Sequence, residues 1–202
     1  MSDHDHHDHD HDHEDEVELD EEAAAEAEVE ARRQLALAQI RQYGDPVLRM
    51  KANEVVEVDD DVRRLVERMT SLMEDAQGVG LAATQVGVLR RLFVFVNGDD
   101  GPQAVVNPTV VERAEETDSD EEGCLSLQGV KVPVERSVRV VVEGLDANGK
   151  PVRYELEDYD ARVVQHELDH LDGVLIIDRT TDDARREALA TLRPKPALVG
   201  RT

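Results

Sequence analysis

The near absence of aromatic side chains limits how this chain can build a core. Only 2% of its 202 residues are aromatic and none is Trp, although hydrophobic residues make up 40%. The core must therefore come from Val, Leu, Ile and Ala, and the length predicts one catalytic domain with extra material at the ends. The same scarcity argues against aromatic platforms on which nucleic-acid bases could stack.

Acidic residues are concentrated at the N-terminus. Residues 1–31 contain 15 of the 47 Asp and Glu residues and no Lys or Arg, which leaves 32 acidic against 23 basic residues in the remainder. DNA or RNA is therefore an improbable partner, because phosphate binding needs clustered Lys and Arg. The single cysteine excludes an intramolecular disulfide, and the sequence has no long apolar run or secretory signal. We expect a cytoplasmic protein without membrane association.

Composition divides the chain into four segments. Residues 1–22, where His and Asp alternate before a run of acids, are expected to be a disordered tail. Residues 23–42 are rich in Ala, Glu, Leu and Arg and predict a linker helix. A Tyr-Gly-Asp-Pro turn opens the catalytic domain, residues 43–192, and residues 193–202 form a C-terminal tail.

The pattern within the catalytic domain is that of an α+β fold. Apolar residues three or four apart predict three helices, and short β-branched runs bounded by turn residues predict three strands. The helices are expected at 61–77, 159–171 and 182–192, and the strands at 92–96, 104–106 and 138–142. The acidic segment 112–121 is interpreted as a loop.

Two histidines four residues apart lie in the second predicted helix, in the run His166-Glu167-Leu168-Asp169-His170. This spacing puts both imidazoles on one helical face, where they can hold a metal ion, and Glu167 can reach a water beside it. The other six histidines are all in the tail, so chance is a weaker explanation for the spacing. A chance occurrence of the pattern is nevertheless the alternative.

A catalytic metal site needs a third protein ligand and an open position for water. Cys124, in the run Glu-Gly-Cys-Leu-Ser, is the candidate, because a thiolate suits zinc or ferrous iron better than magnesium or calcium. The alternative is an inert, buried cysteine. A run of small residues at 78–87 surrounds Gln85, and it is either a tight packing turn or a loop where a substrate meets backbone groups.

Together and in this order, the segments 78–85, 122–126 and 165–170 resemble the three signature segments of the bacterial-type peptide deformylase family. The resemblance covers about residues 43–192 and excludes the acidic extension. It implies an α+β fold in which antiparallel or mixed sheets pack around a central metal-binding helix. It also implies an enzyme that removes the formyl group from formyl-methionine on nascent peptides, with a monomeric state and the ribosome as a candidate partner.

The resemblance also assigns a metal site and a mechanism. It implies Cys124, His166 and His170 as ligands of one divalent ion, commonly Fe²⁺ in the family, with Zn²⁺, Ni²⁺ or Co²⁺ as alternatives. Water activated by that ion would attack the formyl carbon while Glu167 accepts the proton and then returns it, releasing formate and a free amine.

Further residues receive supporting roles from the resemblance. The side-chain amide of Gln85 and the backbone N–H of Leu125 would stabilise the oxyanion of the intermediate. The pocket for the methionine side chain would be bordered by Val79, Gly80, Leu125 and Val163. Glu122 and Arg136 would form an ion pair that supports the metal-binding segment.

Two other classes of function stay open. A metalloprotease of the zincin kind shares the His-Glu-x-x-His pattern and would take its third ligand downstream, from Asp178 or Glu187, but it leaves Cys124 and Gln85 unexplained. A metal-binding or storage protein is the second alternative, because a His- and Asp-rich tail can bind nickel, zinc or copper weakly. The tail can equally be a solubilising extension without a specific role.

Overall fold

The computed structural model describes residues 11–193, with side chains from residue 23 onward except that of Asp99. Residues 1–10 of the predicted tail, and the C-terminal tail beyond Arg193, lie outside the described residues. The first helix, α1, spans His11–Leu37, so it begins within the segment predicted to be a tail and ends earlier than the predicted linker helix. A composition of Ala, Glu, Leu and Arg favours helix from residue 23 onward.

The core begins before the turn at Tyr43. Ala36, Leu37 and Ile40 are almost fully buried and belong to one apolar cluster with the helix α2, Asp60–Asp75. Asp59 caps α2, because its side chain accepts a hydrogen bond from the backbone N–H of Val62. The end of α1 is therefore packed as part of the domain, although composition placed it in a linker.

The remaining described elements confirm an α+β fold. The other two helices are α3, Asp158–Leu171, and α4, Asp182–Leu192. The strands are β1 Gly80–Ala82, β2 Leu92–Val96, β3 Pro102–Arg113, β4 Thr117–Gly123, β5 Lys131–Ser137, β6 Arg139–Leu145 and β7 Pro151–Glu157. All three helices predicted within the catalytic domain are confirmed to within two residues at each end, and the three predicted strands fall in β2, β3 and β6, with Val138 alone lying outside.

Two antiparallel sheets make up the β structure of the described residues. The larger has the strand order β1-β2-β3-β6-β7, and β4 pairs with β5 as a separate hairpin. In the hairpin, Thr117 lies opposite Ser137 and Gly123 opposite Lys131. The turn that follows β4 therefore begins at Cys124, at the end of the hairpin.

The interpretation of 112–121 as a loop is wrong for most of its length. β3 continues to Arg113 and β4 begins at Thr117, so only three residues connect them. The sequence of β4, Thr-Asp-Ser-Asp-Glu-Glu-Gly, has no apolar alternation because its one buried side chain is the carboxylate of Glu122. Backbone pairing with β5, whose Val132 and Val134 are buried, holds this acidic strand in place.

α3 is the central element of the fold. It packs against β1 and β2 of the large sheet and against β5 of the hairpin. Both phenylalanines, Phe93 and Phe95, are fully buried and meet edge to face, while aliphatic side chains and methionines fill most of the rest of the core. Among the described residues, no helix combines the length and the apolar composition that crossing a bilayer requires.

Candidate metal centre

Burial of α3 determines where its histidines point. Ala161, Val164 and Leu171 are fully buried, which fixes the rotation of the helix against the sheet. His166 and His170, one turn apart, then share a face, with their Nε2 atoms 3.1 Å from each other and their ring centroids 4.8 Å apart. The predicted pairing of these two imidazoles on one side of the helix is present.

Cys124 reaches the same point from the hairpin. Its Sγ lies 3.2 Å from Nε2 of His170. The three ligand atoms of Cys124, His166 and His170 all lie within 4.8 Å of one another, so this group could hold a metal ion. One thiolate and two imidazoles favour zinc or a late first-row metal over magnesium or calcium.

The surroundings of the two histidines fit a cation. His166 donates from Nδ1 to Oε2 of Glu122 at 3.0 Å, which leaves the lone pair on Nε2 facing the cluster. Burial opposes a charge on His166, but its hydrogen bonds to Cys124 and Glu122 outweigh this and raise its pKa. A metal ion bound at Nε2 would therefore take the place of a proton among the same negative partners. Burial lowers the pKa of His170, so that ring is neutral and can act as a ligand.

Glu167 is a buried carboxylate beside this group. It is 3% exposed, and its Oε2 has no hydrogen-bond partner among the residues that the structure describes. Burial raises the pKa of Glu167 to about 7, and the charge of Glu122 adds to the effect while His166 opposes it. Such a group exchanges a proton readily near neutral pH.

The amide of Gln85 has a fixed orientation. Gln85 lies in a short 3₁₀ turn, Ala83–Val86, that follows β1, and its Oε1 accepts a hydrogen bond from the backbone N–H of Ala82 at 2.8 Å. Its Nε2 therefore faces the candidate metal centre, 3.1 Å from Oγ of Ser126 and 3.7 Å from Sγ of Cys124. The predicted donor thus lies beside the candidate metal centre.

A buried network of ion pairs contacts His166 through Glu122, on the Nδ1 side of its ring. Arg136 donates to both carboxylate oxygens of Glu122 at 2.9 Å, which is the expected ion pair, and also to Asp169 at 2.5 Å. Burial alone would raise the pKa of Glu122, but hydrogen bonds from Arg136 and His166 lower it to about 2. Glu122 is therefore ionised and holds the ring of His166 in place.

Sequence reasoning missed Arg162. Its guanidinium donates to Oε1 of Glu122 at 2.9 Å and to the backbone carbonyls of Val134 and Asp118. It thereby ties both strands of the hairpin to α3. The available signal was the spacing, because Arg162 precedes His166 by four residues and so lies on the same helical face.

A cleft of about 690 Å³ opens in front of these residues. It is lined by all the residues expected to border the substrate, together with most of the chemically reactive ones: Val79, Gly80, Gln85, Cys124, Leu125, Val163, His166 and Glu167. The structure thus brings the predicted site residues into one place.

The downstream ligands that a zincin protease would need lie elsewhere. Asp178 accepts hydrogen bonds from Arg49 and from the backbone N–H of Leu175. Glu187 is exposed on α4. Neither carboxylate belongs to the group with His166 and His170, so the described residues do not support that alternative.

These features define a class of protein: an α+β domain with a candidate metal centre. The centre combines a cysteine with the two histidines of a His-Glu-x-x-His helix, beside a buried carboxylate. The sequence profile of the polypeptide deformylase family matches residues 37–186. The chain belongs to the polypeptide deformylase family, which confirms the resemblance and the prediction of an enzyme. The reaction of this family is hydrolysis of the N-formyl group of nascent peptides.

Individual relatives agree with this assignment. The chain is 48% identical to a peptide deformylase of Thermotoga sp. (strain RQ2) over 164 residues, which are 81% of this chain and 97% of the relative. The crystal structure of peptide deformylase from Thermotoga maritima superposes with a TM-score of 0.68 at 49% identity, covering 70% of this chain and 96% of that one. The Ehrlichia chaffeensis enzyme in complex with actinonin gives a TM-score of 0.74 at 33% identity, covering 79% and 97%.

Proposed function

We propose that this chain removes the formyl group from formyl-methionine at the N-terminus of nascent peptides, using one divalent metal ion held by Cys124, His166 and His170. The observation that carries the proposal is the convergence of these three ligand atoms, within 4.8 Å of one another, beside a cleft lined by Cys124, His166 and the buried Glu167. Fe²⁺ is the proposed native ion, and Zn²⁺, Ni²⁺ or Co²⁺ are substitutes that the same ligands accept.

A divalent ion at such a site acts as a Lewis acid that lowers the pKa of water. Glu167 is the proposed general base. Its carboxylate accepts a proton from the attacking water as the new bond to the formyl carbon forms, and it returns that proton to the departing nitrogen as the carbon–nitrogen bond breaks. The products are formate and a peptide with a free α-amine.

The proposed oxyanion donors are Nε2 of Gln85 and the backbone N–H of Leu125. Hydrogen bonds to Ala82 and Ser126 hold the Gln85 amide, so its donor is in place before the substrate arrives. Preorganised donors of this kind stabilise the charge that develops on the formyl oxygen without reorganising during the reaction.

The proposed pocket for the methionine side chain is formed by Val79, Gly80, Leu125 and Val163. Both valines line the cleft, Val79 as an exposed side chain and Val163 as a buried one, so each offers apolar surface there. We propose further that the enzyme acts in the cytoplasm as a monomer on chains leaving the ribosome.

Metal removal and reloading tests the proposal. The protein is purified without oxygen, because an iron–thiolate site oxidises readily. It is then stripped with a chelator and reloaded with Fe²⁺, Zn²⁺, Ni²⁺ or Co²⁺, and bound metal and formate release are measured together. We expect one ion per chain and recovery of activity on reloading in the unsubstituted protein, and weak metal retention in Cys124→Ala. Full activity of the stripped protein would contradict the proposal.

A further inference from the structure

The N-terminal helix contributes to the cleft although the family match begins only at residue 37. Arg33 and Leu37, one helical turn apart, both line the same cleft as Gln85, Cys124 and Glu167. Leu37 is buried against α2, which fixes the end of α1 at the edge of the cleft. Arg33 therefore adds a cationic side chain to a wall that the shared family core does not supply.

Besides Arg33, three carboxylates (Glu121, Glu122 and Glu167) and two basic side chains (Lys131 and Arg162) line the cleft. Glu121 and Lys131, both exposed, lie on the hairpin at neighbouring ends of β4 and β5. Arg162 is bonded to Glu122 beneath the surface. Glu167 is also buried, at the candidate metal centre.

Arg33 itself is weakly engaged within the protein. Its side chain is 34% exposed, and its ionic contact is to Glu30, one turn earlier on the same helix, at 3.5 Å. An exposed ion pair of this length contributes little to stability. Arg33 can therefore leave Glu30 and bind the carboxylate of a ligand at little cost in free energy. A guanidinium with planar, forked donors suits a carboxylate ligand.

The size of the cleft leaves room for more than the formylated residue. Its volume of about 690 Å³ falls in the range of pockets that enclose a drug-sized ligand. A peptide whose first residue lies at Glu167 would therefore continue along the cleft walls, one of which includes the end of α1.

We propose that Arg33 binds a carboxylate of the peptide downstream of the formyl-methionine, so that α1 gives this enzyme a preference for an acidic residue there. The inference rests on the proposed deformylase function. Arg33 then acts as a specificity-determining residue, and its contribution weakens as salt screens the pair.

The test compares peptides that differ in one charge. Amidated formyl-Met-Ala-Ala-Ala peptides carry Glu or Gln at the second, third or fourth position, and kcat/KM for formate release is measured at low and at high salt. A neutral peptide with a free C-terminal carboxylate separates that source of charge from a side chain. The proteins are the unsubstituted chain, Arg33→Gln, Arg33→Lys and the matched control Arg32→Gln, whose residue is 57% exposed and does not line the cleft.

At one of the three peptide positions, we expect kcat/KM for the Glu peptide divided by that for the Gln peptide to be about two- to fivefold lower in Arg33→Gln than in the unsubstituted protein. This is the size of effect that a partly exposed ion pair produces. Arg33→Lys should retain part of the preference, and Arg32→Gln should retain all of it. Unchanged ratios at every position in Arg33→Gln, with formate still released, would overturn the inference and leave the deformylase function standing. A response only to the free C-terminal carboxylate would also overturn the preference for acidic side chains. Absence of formate release from every peptide would contradict the proposed function, and the inference with it.

Discussion

Gly80 lies directly against Glu167, so that a methyl group on Gly80 would stand 2.4 Å from Oε1 of the carboxylate. That separation is far below van der Waals contact, and β1 can approach α3 this closely only with a bare backbone. The segment 78–85 and α3 therefore fit each other closely at Glu167, the residue proposed as general base. A glycine that sequence reasoning assigned to the substrate pocket also determines where Glu167 lies.

Gly80→Ala should displace Glu167 and lower kcat for formate release about 100-fold, the order of loss caused by misplacing a reacting group by about 1 Å. Bound metal should be unchanged, because the ligands do not touch Gly80. The matched control is Gly123→Ala, next to Cys124, where an added methyl group meets its nearest neighbour at 3.8 Å. Equal kcat in both variants would contradict the proposed position of the base.

Gln85→Ala should lower kcat by about 100- to 1,000-fold, because it removes one of the two proposed oxyanion donors. The metal content should stay at one ion per chain, as measured by elemental analysis of the purified variant. Gln39→Ala is the control, since Gln39 is an exposed residue that bonds only within its own segment and to Arg68. A kcat within a few-fold of the unsubstituted value would remove Gln85 from the mechanism.

Arg136→Met should lower the free energy of unfolding by about 1–3 kcal/mol, because it removes the shared partner of two buried carboxylates, Glu122 and Asp169, each of which keeps a second arginine. Urea denaturation measures this quantity. The control is Arg153→Met, which removes ion pairs to the exposed Glu112 and Glu143 and should change the midpoint little. A similar loss in both variants would show that burial of the Arg136 network does not matter.

Much of the fold could be predicted from sequence because its main helices carry regular apolar spacing. α2 and α3 were predicted from residues such as Met69 and Leu168, which are indeed buried. Four strands, β1, β4, β5 and β7, were not predicted. β4 and β7 each have a single buried side chain, Glu122 and Leu156 respectively. Strands held mainly by pairing with a neighbour leave little trace in the apolar pattern.

The candidate site also contains residues that could be predicted from the sequence and residues that could not. Cys124, His166, His170 and Glu167 could be predicted because their chemical types are rare or closely spaced in this chain. The contacts of Arg162 depend on how the hairpin packs against α3, and local spacing does not record that packing. The same holds for Arg33, whose position at the cleft follows from the packing of α1 against α2.

The most direct test is formate release from a formyl-Met peptide by the anaerobically purified, Fe²⁺-loaded protein, compared with Glu167→Ala at equal metal content. An unformylated peptide is screened in parallel for internal cleavage. The account predicts formate from the unsubstituted protein and a loss of about 100- to 10,000-fold in the variant, as for removal of a general base. Undiminished formate release by Glu167→Ala, or peptide cleavage without any formate, would contradict it.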